Sequence, residues 1–450
     1  MGKVLIIPGV SVSVVKEVLP QQLAPSGVLG LVGFTGAAGG AGTVRAASWN
    51  RVRELCGDVT ALSLPEARQA IDNGVSELVI VSLPNANFTA GASLSNGDVN
   101  KAAIKLKARA GGLWANSLDV VVSERTANSA VVAVDLAIVR RGGGDAIEQL
   151  RNIAADKLAA ALGGLSTVAL DGAADGLPKA GTYPLTGGKD AAVADYQTAL
   201  DALIEESDVD SVLAAVQDFS KQADVVSIYS SVIAHCNNLS GDAKGRIGFG
   251  QIGPQWTVPA AKTAVENLVS DRFALVAPHG VVGAVAGLVG NLSYFQSPTF
   301  KALAGLGPLA RVLKLEEQTE LLKSFIVPVA TERGRGTIVV RGLTTDGDQI
   351  SVRRVADRAV RTMKMIGDLF IGRLNNADGR GALKQKLIEA LLQMQREGAI
   401  VPSTDGKDPA FKVDVYSSQE DFAKGIVRVD MAVRPVRAID YIYATVLVQV

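Results

Sequence analysis

At 450 residues, 48% of them hydrophobic and only 5% aromatic, the chain has room for two or three domains with ample core. Its 45 basic and 45 acidic residues cancel. That removes the general attraction to nucleic acid or anionic membrane that a basic chain carries, and it permits close self-association. Two cysteines, Cys56 and Cys236, make no disulfide framework and fit assembly in a reducing cytosol.

The opening residues MGKVLIIPGV hold one lysine and a short apolar run broken by Pro8-Gly9, a poor signal peptide. No apolar run is long enough to predict a membrane span. Val10, Val12 and Val14 alternate with Ser11 and Ser13, the pattern of a one-sided strand. Pro20 and Pro25 predict an extended linker. Val28 to Phe34 reads as a buried strand inside the glycine-rich run Gly27 to Gly42. Ser48 caps a predicted helix over Trp49 to Cys56, Ser63 and Pro65 open a second that Gly74 closes, and Leu78 to Val81 is a buried strand. This order starts an α/β layer.

From Pro84 the texture becomes polar and glycine-rich. Strands are expected at Asp119 to Ser123 and Ala130 to Arg140, and a helix from Asp145 to about Leu162. Residues 86–188 therefore read as a domain inserted into the layer. The α/β pattern resumes after Asp190, the expected N-cap of a helix running to about Glu206. Strands are predicted at Val225 to Tyr229, Gly245 to Ile252, Arg272 to Ala277 and Thr337 to Arg341, and helices over Ala261 to Ser270 and Leu313 to Ser324. Val352 to Leu374 predicts a long helix with Val355, Ala359, Met363, Ile366 and Phe370 inward. Its stripe of Arg354, Arg358, Arg361 and Lys364 predicts a solvated face or one turned to an acidic partner. Asn375, Asn376 and Gly379 should end it, and a second helix covers Ala382 to Arg396. Val413 to Tyr416 and Ile426 to Val433 are predicted strands. The last twelve residues, Ile439 to Val450, form a strand apolar on both faces. Such a strand needs cover and backbone partners. It belongs either inside this chain's own sheet or in a neighbouring subunit.

Chemistry is hard to find in this sequence. Gly33 to Gly42 lacks a Walker lysine and the GxGxxG spacing. His235-Cys236 sits in a helical stretch with no second histidine at metal-ligand spacing. His279 follows a strand, where α/β active sites do occur, but a turn histidine also explains it. Asp346 and Asp348 fit a hairpin-like turn. An α/β enzyme using the glycine loop or the His235/Cys236 pair is the alternative to a non-enzymatic assembly subunit with no cofactor and no metal.

Several stretches, in order, resemble the contractile tail sheath proteins of phages and contractile injection systems. Pro8-Gly9-Val10 and Gly30 to Gly36 are similar to the family's opening strand and VGxT-like turn. Lys107 to Asn116 is similar to its ARSPGxWGN segment, with Ala-Gly for Ser-Pro. Leu185 to Asp190 with Asp195-Tyr196 is similar to LxGGxDG…DY, and Arg333 to Gly336 with Arg341 to Thr344 to PGRGxxVWGxRT. Val433 to Ile442 resembles the vxPvxPxEfI ending. The resemblance implies an α/β (α+β mixed), multi-domain structural subunit: an N-terminal arm and linker at 1–24, an α/β middle domain from 25–85 plus 189–330, an outward β-rich insert at 86–188, a tube-facing C-terminal domain at 331–438 and a C-terminal arm at 439–450.

It further implies a homo-oligomer of hexameric rings stacked helically around an inner tail tube, with baseplate and tail terminator proteins as partners. The virion tail, assembled in the host cytoplasm, is the expected location, and contraction would drive the tube through the target envelope before genome ejection. The arms would be Val10, Val12 and Val14 at one end and Tyr441, Tyr443, Val446 and Val448 at the other. The receiving strand would hold Val427, Val429, Met431 and Val433. Lys384, Lys386 and Glu389 would face the tube.

Overall fold

The structure is a computed structural model, and it describes residues 27–36, 42–57, 59–128 and 130–443. Strands β1 (Val28–Gly33), β2 (Thr43–Ala46) and β3 (Glu77–Ser82) bracket helices α1 (Trp49–Leu55) and α2 (Pro65–Asp72). The Ser48 hydroxyl accepts from the Arg51 amide and caps α1, and Pro65 opens α2.

Next in the chain is a β-rich unit of β4 (Gly91–Leu94), β5 (Ile104–Ala108), β6 (Leu118–Ala127), β7 (Ala130–Arg140), β8 (Glu148–Ile153), helix α3 (Leu158–Gly163), β9 (Val168–Leu170) and β10 (Gly181–Pro184). It has its own core, centred on Leu106, Leu118, Val120, Leu136, Ile138 and Leu158. The helix expected from Asp145 starts as a strand instead. β8 pairs with β7, and its burial alternates along Glu148 to Arg151, a period of two rather than 3.6.

The chain then re-enters the α/β layer. It adds α4 (Val193–Asp201), β11 (Ser211–Ala214), α5 (Gln222–Ser240), β12 (Ile247–Gln251), α6 (Val258–Glu266), β13 (Phe273–Ala277), α7 (Val282–Asn291), α8 (Leu315–Lys323), β14 (Val327–Glu332) and β15 (Gly336–Val339). The eight-stranded sheet runs β15-β14-β13-β12-β11-β1-β3-β2, parallel from β14 to β3 with an antiparallel strand at each edge. A parallel sheet must be covered on both faces, and the strands are apolar accordingly. Val28 and Val32, Val79 and Val81, Phe273 and Leu275 pack towards α4, α5 and α6. Leu29 and Leu31, Leu78 and Ile80, Ala274 and Val276 pack towards α1, α2 and α7.

The strand expected at Val225 to Tyr229 is part of α5. Its β-branched residues mimic a strand locally, but Val225, Ile228, Tyr229, Val232, His235, Cys236 and Leu239 are buried at helical spacing. α7 lies unusually close to α2. A Cβ on Gly287 would stand 2.4 Å from the Ala70 carbonyl oxygen, and one on Gly283 2.5 Å from the Glu66 Cα.

Two sequence segments some seventy residues apart meet where the β-rich unit joins this layer. The Asn116 side-chain amide bonds both ways with the Gly188 backbone (2.8 and 2.9 Å), and the Gln217 side chain accepts from the Trp114 amide. Asp190 does not cap α4. Its carboxylate accepts from the amides of Ala191, Gln217 and Asp218 and from the Tyr196 hydroxyl, all between 2.7 and 2.9 Å. Ala192 is the residue at the helix cap.

The remaining elements are α9 (Ile350–Asp368), α10 (Ala377–Arg396), β16 (Phe411–Tyr416), α11 (Gln419–Ala423) and β17 (Arg428–Val433). Asn376 and Gly379, expected to stop the first long helix, start the second. The Asn376 side chain accepts from the Gly379 amide and caps α10.

Candidate assembly interface

β16 and β17 form a two-stranded antiparallel ribbon that pairs with no other strand among the described residues. Its alternation sends Phe411, Val413, Val415, Val429, Met431 and Val433 towards α9 and α10. Lys412, Asp414, Tyr416, Arg428, Asp430 and Ala432 point to solvent. Val427 lies just before the strand and packs into the same cluster. In an antiparallel pair roughly half of each strand's N–H and C=O groups point away from the partner. Among the described residues no strand therefore covers either main-chain edge of the ribbon, and a two-stranded sheet is marginal by itself. Asp421 forks to Arg428 through two bonds of 2.8 Å, which fixes the start of β17 and holds the carboxyl down at about 2. Beside it, α9, α10 and β17 frame an open groove of about 840 Å³ lined by Met363, Phe370, Leu383, Leu387, Val427 and Val429.

The C-terminal segment leaves the body with its apolar side chains in solvent. Ile439, Tyr441, Ile442 and Tyr443 are all exposed, Tyr443 at 95%. Among the described residues none of the four belongs to a strand. Val446 and Val448, like Val10, Val12 and Val14, lie outside the described residues. The tube-facing candidates sit on α10, where Lys384 pairs with Asp414 (3.1 Å) and Lys386 with Glu389 (3.0 Å), all partly exposed.

The basic stripe of α9 is not a solvated face. Arg354 is buried and donates to the carbonyls of Leu292 and Ser293, just past the C-terminal end of α7, and burial lowers its guanidinium to about 10. Cations at a helix C-terminus are favoured. Arg361 donates to the Ser207, Val209 and Gly245 carbonyls. Arg358 stacks over Tyr294, and Lys364 pairs with Asp368. One link lies outside the sequence-based expectations: buried Arg272, the residue just before β13, makes two 2.9 Å bonds to Asp357 of α9. Asp357 and Arg353 are also bonded, and Arg353 reaches Asp271. The clue in the sequence was acid among the arginines of one helix, since a buried charge needs a partner.

The residues weighed for chemistry are structural. His235 Nε2 accepts a 2.7 Å bond from the buried Arg246 guanidinium, and burial lowers the imidazole to about 4. Neighbouring Cys236 is buried with its thiol pushed up to about 12, the opposite of a nucleophile's environment. His279 is held by the Ile252 carbonyl and stacks edge-on against Phe219. Residues 37–41 of the glycine loop lie outside the described residues. Among the described residues no cluster of histidine, cysteine and acidic groups could hold a metal, and no helix is long and apolar enough to cross a membrane.

Comparison with solved structures returns the same architecture at low identity. The sheath tail protein of Desulfitobacterium hafniense is 16% identical with a TM-score of 0.56, covering 96% of this chain and 97% of its own. The helical sheath of the anti-feeding prophage in its contracted state is 14% identical with a TM-score of 0.58, covering 99% of each chain. The contracted sheath complex of the extracellular contractile injection system PVC is 14% identical with a TM-score of 0.57, covering 99% of this chain and 98% of its own. A comparison with curated proteins finds no match. Two family models match in sequence order, the phage tail sheath protein central domain over residues 189–345 and the phage tail sheath C-terminal domain over residues 344–449. Together they span more than half of the chain, which therefore belongs to the phage tail sheath protein family and is a structural sheath subunit of a contractile system.

Proposed function

We propose that this subunit polymerises as stacked hexameric rings around an inner tail tube, and that contraction of the resulting sheath drives the tube through a target envelope. One observation carries the reading: a β16–β17 ribbon with two unpaired edges coexists with an exposed apolar C-terminal segment on the same chain. Each supplies what the other lacks, but a neighbour satisfies the match as well as the chain itself does. The arms, residues 1–24 and 439–450, add strands to a neighbour's β16–β17 by β-augmentation. Because Val427, Val429, Met431 and Val433 already face α9 and α10, the incoming strand reads main chain rather than those side chains.

In this reading 25–85 with 189–330 is the middle domain, 86–188 the outward insert and 331–438 the inner domain. Lys384, Lys386 and Glu389 of α10 meet the tube, and baseplate and terminator proteins close the ends. The work is mechanical. It needs no catalysis and no cofactor, because the contracted lattice has the lower free energy. The virion tail, built in the host cytoplasm, is the site of action, with a non-phage injection apparatus as the variant that gene neighbourhood separates.

Electron microscopy of purified protein is the test. Tubes or rings are expected, and their loss when Tyr441 to Val450 are deleted. A compact monomer at high concentration, or normal tubes from the truncated chain, overturns the reading. Charge reversal of Lys384 should weaken co-sedimentation with the cognate tube protein while leaving tubes intact. Unchanged co-sedimentation removes α10 from the tube contact.

A further inference from the structure

Between β17 and Tyr441 the chain is held at Val436, Arg437, Ala438 and Asp440. The Val436 amide donates to the Ala399 carbonyl (2.9 Å). Arg437 pairs with Asp348 (2.7 Å). The Gln349 side chain then behaves as a strand partner: its Oε1 accepts from the Ala438 amide (2.8 Å) and its Nε2 donates to the Ala438 carbonyl (3.1 Å). The same Nε2 donates to the Asp440 carboxylate (2.8 Å), which also takes a 2.8 Å bond from Arg341. Arg341 finally stacks over the Tyr441 ring at 5.2 Å. Gln349 is 5% exposed and the Asp440 side chain 6%, so the bonds of Gln349 and Asp440 are sheltered from water, which makes them worth more, while the Arg437–Asp348 pair lies nearer solvent.

The gripping residues are not part of the ribbon that would receive arms. Arg341, Asp348 and Gln349 lie in the loop between β15 and α9. That loop is itself tied to the central sheet. Thr345, 1% exposed, donates its backbone amide to the Phe273 carbonyl (2.8 Å), and its hydroxyl donates to the Leu268 carbonyl (2.5 Å) and accepts from the Ser270 amide (3.0 Å).

We infer that Gln349, Arg341 and Asp348 form a root clamp for the C-terminal arm. The clamp fastens residues 437–440 to the middle-domain sheet, so that the arm's free pivot begins at Tyr441 and not at Pro435. This rests on the arm reading above. Its consequence is geometric. The arm root follows any rotation of the central sheet, and the free span to the neighbouring ribbon is shorter by the clamped residues, at about 3.3–3.6 Å each. Gln349, Arg341 and Asp348 are thus positioning residues for the connection between subunits.

The test uses the full chain with Gln349→Ala and, separately, Asp440→Asn, which is near-isosteric and leaves the cap of α9 untouched. By hydrogen exchange, the Ala438 amide of the Gln349→Ala protein should exchange about tenfold faster, the loss of one hydrogen bond, with the β16 amides unchanged. Both variants should still form tubes, but with a broadened spread of ring spacing by electron microscopy, because the arm is longer and freer. Tubes with the wild-type spacing and spread from both variants, or an unchanged Ala438 exchange rate, overturn the clamp. The deletion of Tyr441 to Val450 separates the two ideas. If it leaves tubes normal, the arm reading fails. If it abolishes tubes while both clamp variants assemble like the wild type, only the clamp fails.

Discussion

Asp357 is the place where the structure makes its most quantitative demand. Among the described residues it is the only carboxylate that Arg272 bonds, and Arg272 has a side chain 3% exposed. Asp357→Ala leaves that guanidinium buried without a counter-charge, a change that costs about 3–5 kcal/mol in other proteins. Here Arg272 keeps the Arg246 carbonyl (3.2 Å) and the Ser240 hydroxyl (2.5 Å), and Arg353 keeps Asp271. The lower end, about 3 kcal/mol, is therefore expected. The converse substitution is milder. Arg272→Met leaves Asp357 bonded to Arg353 at 2.8 and 3.2 Å, so no charge is stranded, and about 1 kcal/mol is expected. The double variant has neither buried charge and should recover part of the Asp357→Ala loss. Urea denaturation followed by the fluorescence of Trp49, Trp114 and Trp256 orders the three. If Arg272→Met proves as damaging as Asp357→Ala, or if the double variant is worse than Asp357→Ala, the buried-charge argument is wrong.

Acidity separates two buried groups by the sign of their effect. His235 has its folded value lowered to about 4, so between the ordinary 6.5 and 4 the unfolded chain binds the extra proton and stability falls as pH falls, by up to about 3 kcal/mol. Glu66 has its folded value raised to about 7 by burial, so its contribution is fully present below about 4.5 and is lost as pH rises through 7. His235→Gln should flatten the destabilisation on acidification from 6.5 to 4, and Glu66→Gln should flatten the loss of stability as pH rises from about 4.5 to 7, both read from melting temperature against pH. A slope change of the same sign in both variants contradicts these assignments. In the core, Gly287→Val must push α7 off the Ala70 backbone and should cost roughly 1–3 kcal/mol or more by chemical denaturation; a neutral result means the α2–α7 contact is looser than its 2.4 Å approach implies.

What could be read from the sequence was what local chemistry determines. Strands buried on both faces announce themselves as unbroken apolar runs, and β1, β3 and β13 were recognisable for that reason. The long helices α9 and α10 carried their period openly. The errors arose where long-range contacts decide. Val225 to Tyr229 has strand-forming residues, yet its burial follows a helix because α5 must cover the sheet. Asp190 looks like a cap until Gln217 and Asp218 arrive from across the layer to donate to it. The α9 arginines look solvated because their acceptors are mostly backbone carbonyls, which have no sequence signature. The root clamp was invisible for the same reason: a glutamine that bonds a backbone some ninety residues away reads as any other glutamine.

These hidden contacts share a logic. On the proposed mechanism, force enters the subunit through an arm and must reach the body without peeling the small β16–β17 ribbon from its helices. A two-stranded sheet packed on one face is the weakest element available for that task. The path drawn by the hydrogen bonds avoids it. From Asp440 the connection passes to Arg341 and Gln349, from their loop through Thr345 to Phe273 at the start of β13, and α9 is held beside the same point by Arg272 and Asp357. Each bond nets only about 1 kcal/mol against solvent, somewhat more where a charge takes part. They act together, however, on the eight-stranded sheet, whose interior strands are buried on both faces. Local opening follows the least protected contacts first. Fastening the arm root to this sheet therefore lets the ribbon be built for exchangeable pairing with a neighbour, while cohesion is supplied elsewhere.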